Sequence, residues 1–221
     1  MTFSVLALDR ATGAIGGAAA TGNMAVGAWV LYAAAGVGAV ATQGLSVSTP
    51  WGDDGLARLG RGESPEEIVS ELTRADGGRD YRQLAVMDAA GRSAAWTGRH
   101  NEDRKGHVAG VDCVFAGNWL SNGDVLAEMK RAYRDGTATK LEFGHRLLAA
   151  LDAAVEAGSD ARGTFSAAIR IVHPARPPLD LRVDHDLAAL ARLHALYDMA
   201  TRPPYSEWIG QLPTLDDPHR H

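Results

Sequence analysis

The sequence predicts an α+β domain in which helices pack on sheets, and three observations carry that expectation. Two short apolar strand segments open the chain and fold back on each other. Helical patterns are delayed until after position 50. Strands and helices then come in segregated groups, in the order strands, helices, strands, helices, strands, helix. A Rossmann-type fold would alternate strand and helix strictly. The arrangement expected is two central, mostly antiparallel sheets with helices on both outer faces and Thr2 at the start of a central strand.

The elements follow in order. Thr2 to Leu8 (TFSVLAL) runs into the turn sequence DRATG, and Ala14 to Thr21 (AIGGAAAT) returns as a strand, because adjacent glycines weaken a helix. The apolar stretch Met24 to Val40 is broken by Gly27, Gly36 and Gly38 and reads as buried sheet, with GAVATQ (Gly38 to Gln43) as a further strand. A short helix is expected over Gly52 to Leu59. Another starts at Ser64, where Ser64 caps, Pro65 fits the first turn, and Glu66 and Glu67 sit at the positive helix end. Arg82 to Asp88 and Ser93 to Thr97 read as a hairpin around AAGR, Gly98 to Val111 as a polar loop, and Cys113 to Phe115 as a short strand. Asn122 to Tyr133 and Leu141 to Ala157 have helical spacing, and Thr164 to Val172 is a strand. Three prolines in HPARPP argue against regular structure there. Leu179 to Val183 reads as a strand and Asp186 to Ala200 as an amphipathic helix opening on a good cap. Residues 1–200 are expected to form one domain and 201–221 a loosely held, proline-bearing tail.

Several function classes are disfavoured. The chain of 221 residues has 22 basic and 27 acidic side chains, a formal charge of −5, and its three lysines (Lys105, Lys130, Lys140) make no patch. A nucleic-acid partner is therefore not expected. Cys113 stands alone, which leaves no disulfide, cysteine-rich zinc site or redox pair, and in its apolar strand it reads as buried filler. MTFSVLALDR lacks a basic leader, and no apolar stretch is long enough to span a membrane. A cytoplasmic protein without a membrane partner is expected. HExxH, the P-loop spacing, GxGxxG and GxSxG are all missing, and the adjacent Asp184, His185 and Asp186 cannot face one site from a strand. Neither a metal nor an organic cofactor is expected.

Thr2 is the residue with the clearest chemical potential. Removal of Met1 would give one residue both a hydroxyl nucleophile and an α-amine that titrates near about 8 and can take the hydroxyl proton. The plain alternative is a chain that begins Met-Thr without catalytic meaning. Asn118, after Gly117, offers an amide to a developing oxyanion or merely accommodates a turn with positive φ. His107 reads as a substrate-binding or proton-tuning loop residue, or as an ordinary one. Asp160 and Arg162 form a structural pair or a fork for a polar substrate group. Asp9 serves its turn.

The segments FSVLALDRATGAIGGAAA, AVGAWV, AGVGAVATQ, GLARLGRGESPEE, YRQLAVMDAAGRSAAWTG, GHVAGVDCVFAGNWL, GSDARGTFSAA and PLDLRVDHD together resemble a bacterial family of proposed N-terminal-nucleophile (Ntn) hydrolases, domain of unknown function ten twenty-eight, over positions 2 to 185. The resemblance implies the four-layer αββα sandwich of Ntn amide-cleaving enzymes. It places Thr2 at the family's N-terminal threonine, Thr21 where serine is common, Gln43 in the ATQ element, and His107 and Asn118 in GHxxG and GN. Asp160, Arg162 and Ser166 match GDxRGxxSAA. Departures fall after Gln43 and at Phe165, Ala116 and Gly22. The function so implied is cofactor-independent hydrolysis of a small-molecule amide or related C–N bond. Thr2 and Asn118 would be catalytic, and Thr21, Gln43, His107, Asp160 and Arg162 would bind substrate. A deaminase of a small imine or enamine acid is an enzymatic variant. The alternative from a different class is a non-catalytic small-ligand-binding or assembly domain on the same fold. The amphipathic segment from Asp186 and the tail through Trp208 suggest a homodimer or higher homo-oligomer.

Overall fold

The opening hairpin pairs β1 (Thr2–Asp9) with β2 (Ala14–Thr21) antiparallel along their whole length, from Thr2↔Thr21 to Asp9↔Ala14. Gly13 closes its turn at φ +81°, a conformation that side-chain-bearing residues resist. On the far side of β1 lies β8 (Cys113–Asn118), with Thr2 opposite Asn118. Thr2 therefore heads a central strand, as expected. With β9 (Ser166–His173), β10 (Arg176–Val183) and β7 (Gly106–Gly110), these strands form a six-stranded sheet in the order β10-β9-β2-β1-β8-β7. A second sheet has the order β3 (Leu31–Ala34), β4 (Gly38–Gly44), β5 (Arg82–Asp88), β6 (Ser93–Thr97). Every neighbouring pair in both is antiparallel. The computed structural model describes residues 2–158 and 163–221.

Period-two alternation sorts the side chains into three cores. Phe3, Val5 and Ala7 face α4 (Val125–Ala138), α5 (Phe143–Glu156) and α6 (Ala189–Thr201). Leu6 and Leu8 point the other way and meet Ala39, Ala41, Ala85 and Met87 of the second sheet. The outer face of that sheet, with Val40, Leu84 and Val86, is covered by α2 (Thr49–Gly60) and α3 (Pro65–Ala75). Small residues keep the layers close. A Cβ on Gly55 of α2 would lie 3.3 Å from a Val40 methyl of the second sheet. The α3 start is as expected, with the Ser64 side chain accepting from the Glu67 amide and the Glu67 carboxylate accepting from Ser64 in return.

Several local expectations are corrected. The polar stretch 98–111 contains β7, a five-residue edge strand whose order comes from its pairing with β8. HPARPP likewise enters β10: Pro177 and Pro178 lie on an outer strand, where the register shifts between Arg176 and Leu179 and missing amides cost no central hydrogen bond. The Met24 to Val40 stretch is not sheet throughout but also holds a one-turn helix, α1 (Val26–Trp29). The last long helix starts at Ala189, because the Asp186 carboxylate accepts from the Ala188 amide in a turn ahead of the helix and does not cap it. The tail carries α7 (Tyr205–Ile209), and the Asp216 amide reaches the Pro174 carbonyl at 3.0 Å, so it is tied to the domain. Among the described residues no helix is long and apolar enough to cross a membrane.

Candidate active site

The layer between the two sheets changes character along its length. From Leu6 and Leu8 across to Met87, Val114 and Val172 it is apolar. At the other end the same strand parity places Thr2 and Ser4 on β1, Thr21 on β2, Ser166 on β9, Asn118 on β8, Gln43 on β4, and Gln83 and Thr97 on β5 and β6. Thr21 pairs with Ser166 on one side and Thr2 on the other, and Thr2 pairs with Asn118. Ser166, Thr21, Thr2 and Asn118 thus form one row across four adjacent strands, with neighbours about 5 Å apart.

The Thr2 hydroxyl lies 3.2 Å from the Thr21 hydroxyl, on a half-buried side chain, while Thr21 is buried and also accepts from the Asn23 amide at 3.3 Å. Gln43 holds the Thr2 backbone, with its Nε2 donating to the Thr2 carbonyl at 3.3 Å. Ser166 has a supporting task. Its Oγ donates to the Asn23 carbonyl at 2.8 Å and accepts from the Val26 amide at 3.1 Å, which pins the loop ahead of α1 beside Thr21.

Gln83 organises the rest. It is fully buried, and its Nε2 lies 2.8 Å from the Gly117 carbonyl, 3.1 Å from the Gly106 carbonyl and 3.0 Å from the Thr97 hydroxyl. Backbone carbonyls only accept, so this end must be the NH2 group and the opposite end the carbonyl. Oε1 accordingly accepts from Asn118 Nδ2 at 2.8 Å and Gln43 Nε2 at 3.0 Å. That fixes both amides in turn: Asn118 presents its NH2 end to Gln83, and Gln43 Oε1 accepts the Ser4 hydroxyl at 2.7 Å. One N–H of Asn118 is committed to Gln83, and among the described residues its second has no partner. The direction of every proton in the chain follows from two main-chain carbonyls.

His107 joins this network at its edge. Its Nδ1 is 2.9 Å from the Thr97 hydroxyl, which in turn lies 3.0 Å from Gln83 Nε2, so the ring is joined to the network through Thr97. The residue is exposed on β7, yet cover over the imidazole holds its pKa below the ordinary histidine value, which favours the neutral ring. His107 pairs with Ala116 and lies two strands from β1, about 10 Å, so it touches Thr2 only through Thr97, Gln83 and Asn118.

Thr2, Thr21, Gln43 and Asn118 are therefore brought together, and His107 is peripheral. Asp160 and Arg162 lie outside the described residues. Asn118 is the last residue of β8, and the positive φ, +55°, falls on Trp119, so the turn explanation of Asn118 is set aside. Gln83, Ser4 and Thr97 were missed by sequence reasoning. Gln83 had a partial signal: it is an amide just ahead of the apolar run Leu84 to Met87, in step with the inward Ala85 and Met87. Asp9 does more than serve its turn, accepting both the Thr12 hydroxyl at 2.7 Å and the Arg146 guanidinium at 2.9 Å. Cys113 is buried, and that burial pushes its thiol up to about 11. Among the described residues no group of three His, Cys, Asp or Glu side chains is arranged to hold a metal.

No curated protein matches the chain. Among solved structures it is similar to protein SPO2555 from Silicibacter pomeroyi, a DUF1028 protein, with 45% sequence identity and a TM-score of 0.93 over 99% of this chain and 98% of that one. The family of unknown function DUF1028 matches residues 2–193, a span that includes the whole Thr2 row and the Gln83 network. The chain belongs to the DUF1028 family.

Proposed function

We propose that the protein is a cofactor-independent hydrolase of a small-molecule amide or related C–N bond, with Thr2 as its nucleophile after removal of Met1. The observation that carries this reading is the Ser166–Thr21–Thr2–Asn118 row, which sets a hydroxyl at the head of a central strand beside an amide of fixed orientation. The layering of α2 and α3, two sheets, and α4 to α6 supports assignment to the four-layer αββα sandwich of Ntn hydrolases.

In this mechanism the Thr2 α-amine takes the hydroxyl proton as Oγ1 bonds to the acyl carbon. The free N–H of Asn118 donates to the oxyanion, a contribution of about 3 kcal/mol where such a donor is preorganised. Collapse breaks the C–N bond, and the nitrogen leaves with the proton carried by the amine. Water, deprotonated by the same amine, then releases the acid and restores Thr2. Thr21 holds the hydroxyl and Gln43 the Thr2 backbone. The enzyme so read acts in the cytoplasm on a small molecule and self-associates through α6 and α7, where Met199, Tyr205 and Trp208 are exposed.

The second reading, a ligand-binding domain without turnover, draws on the mutual hydrogen bonding of Gln43, Gln83 and Asn118, which fits a purely structural network as well. Intact-mass profiling against a panel of small amides separates the two. The hydrolase predicts a covalent adduct on Thr2 in protein lacking Met1. Thr2→Ala should bring adduct and turnover to background, and Thr2→Ser should retain measurable activity. An active Thr2→Ala protein confirmed to lack Met1 sinks the nucleophile. Reversible binding without any adduct or product favours the second reading.

A further inference from the structure

A cavity of about 1790 Å³ opens at the other end of β1, beside Leu8 and Asp9. β1 spans eight residues, so this cavity is about 20 Å from Thr2, and the catalytic reading makes no use of it. Its walls are apolar, with Leu8, Leu141, Phe143, Ile171 and Leu179 among them. Its charge is unlike that of the molecule. Seven of the 22 basic side chains line it but only three of the 27 acidic ones, in a chain whose net charge is −5.

Those three carboxylates are already engaged. Asp9 accepts from Arg146 and Thr12, Asp112 accepts from Arg10 at 2.6 Å, and Glu142 accepts from the Tyr197 hydroxyl and the Gly144 amide. Lys140 and Arg176 are different: both are exposed, and among the described residues neither side chain has a hydrogen bond or ion pair. Apolar walls with two unengaged cations at the rim, more basic than acidic side chains and every carboxylate already hydrogen-bonded describe a receptor for an apolar body carrying one negative charge.

We infer that this cavity binds a straight-chain aliphatic carboxylate, its head against Lys140 and Arg176 and its chain along the apolar wall. The volume exceeds what drug-sized ligands fill, which is roughly 300–1,000 Å³, so a chain of many methylenes is accommodated.

The test is calorimetric titration of the full chain with hexanoate, octanoate and decanoate at neutral pH and low salt. Each added methylene should tighten binding about three- to fourfold. Octanol and octylammonium should bind at least about tenfold more weakly than octanoate. The double variant Lys140→Gln/Arg176→Gln alters exposed side chains without partners, so it should keep the wild-type melting temperature. It should lose about tenfold in octanoate affinity and nothing in octanol affinity. Leu141→Glu, which adds a carboxylate to an exposed wall residue, should likewise weaken octanoate selectively. Equal affinity for octanoate and octanol, or affinity independent of chain length, overturns the proposal. So does a dimeric solution mass with no uptake of decanoate, because a second copy then closes the cavity.

Discussion

The two ends of β1 bury polar groups in opposite ways. At the Thr2 end the buried groups are neutral amides and hydroxyls, with Gln43, Gln83 and Asn118 joined in one network. At the Asp9 end the buried pair is ionic: Asp9 and Arg146 meet at 2.9 Å with side chains 10% and 8% exposed, and the guanidinium lies over the rings of Phe143 and Tyr133. A neutral network avoids the desolvation cost of charge and keeps its geometry at any pH near neutrality. An ion pair is stronger locally but ties stability to protonation and makes the loss of either partner costly. The end that needs fixed donor directions uses amides, and the end that closes a turn against a helix uses charge.

The largest expected effect breaks the ionic end. Asp9→Ala leaves Arg146 buried without its carboxylate and should cost about 3–5 kcal/mol in urea unfolding, whereas Asp9→Ala/Arg146→Met should recover much of that. The pH dependence has a definite sign. Burial raises the Asp9 carboxyl, but hydrogen bonds from Arg146 and Thr12 outweigh it and hold the group below its usual value. A depressed folded pKa contributes stability that is complete above the unfolded value, about 3.9, and is lost as pH falls through the folded one. Asp9→Asn should flatten the acid limb of the stability curve below that pH. An unchanged acid limb would mean that the ion pair is not the feature distinguishing this end.

A smaller effect is expected at the neutral end. Gln83→Met is close in volume but leaves two main-chain carbonyls and two amide donors without their buried partner. At about 1–3 kcal/mol for an unmet buried group, softened by relaxation, we expect a loss of about 2–3 kcal/mol with no change in the pH profile between 5 and 8. Because Gln83 orients Asn118 without touching substrate, the hydrolase reading adds a second readout. The Thr2 adduct should form more slowly in Gln83→Met, while free Asn118→Ala and the double variant should be equally slow. Additive losses in the two variants would place Gln83 outside the chain of hydrogen bonds that sets Asn118.

How much of this was legible follows the same division. The short apolar runs TFSVLAL and AIGGAAAT on either side of the DRATG turn pointed to the central hairpin, and Ser64-Pro65-Glu66-Glu67 to a capped helix, because those signals are local. β7 and the prolines of β10 were not legible, since an edge strand is held by its neighbour and its own residues need not favour it. Thr2, Thr21, Gln43 and Asn118 were readable as candidates one at a time. Their meeting depends on cross-strand register, which brings residues 2, 21 and 118 into one row and residues 43 and 83 opposite each other. Gln83 escaped notice because a strand that is apolar at four consecutive positions reads as core, and only the second sheet's placement shows where its amide points. The Asp9–Arg146 pair joins a turn to a helix 137 positions away, a distance over which sequence spacing carries no signal.

The smallest effect sharpens the comparison at its weakest point, His107. Among the described residues it is the one titratable side chain hydrogen-bonded into the otherwise neutral network, through Thr97. Cover by its surroundings lowers its pKa, so the neutral form is favoured in the folded state and the stabilisation is complete above the unfolded value near 6.5. As pH falls through the lower folded value the ring protonates, both ring nitrogens become donors, and Thr97 can meet Nδ1 only as an acceptor. The residue is exposed, and solvent screens much of that change, so only a slight drop in the urea midpoint is expected between pH 7.5 and 5. His107→Gln keeps an acceptor for Thr97 and cannot protonate, so that slight drop should vanish while the midpoint at pH 7.5 stays within error of wild type. A midpoint in His107→Gln that still falls by the wild-type amount would remove His107 from the network's pH response, and the Thr2 end would then be neutral through to its rim.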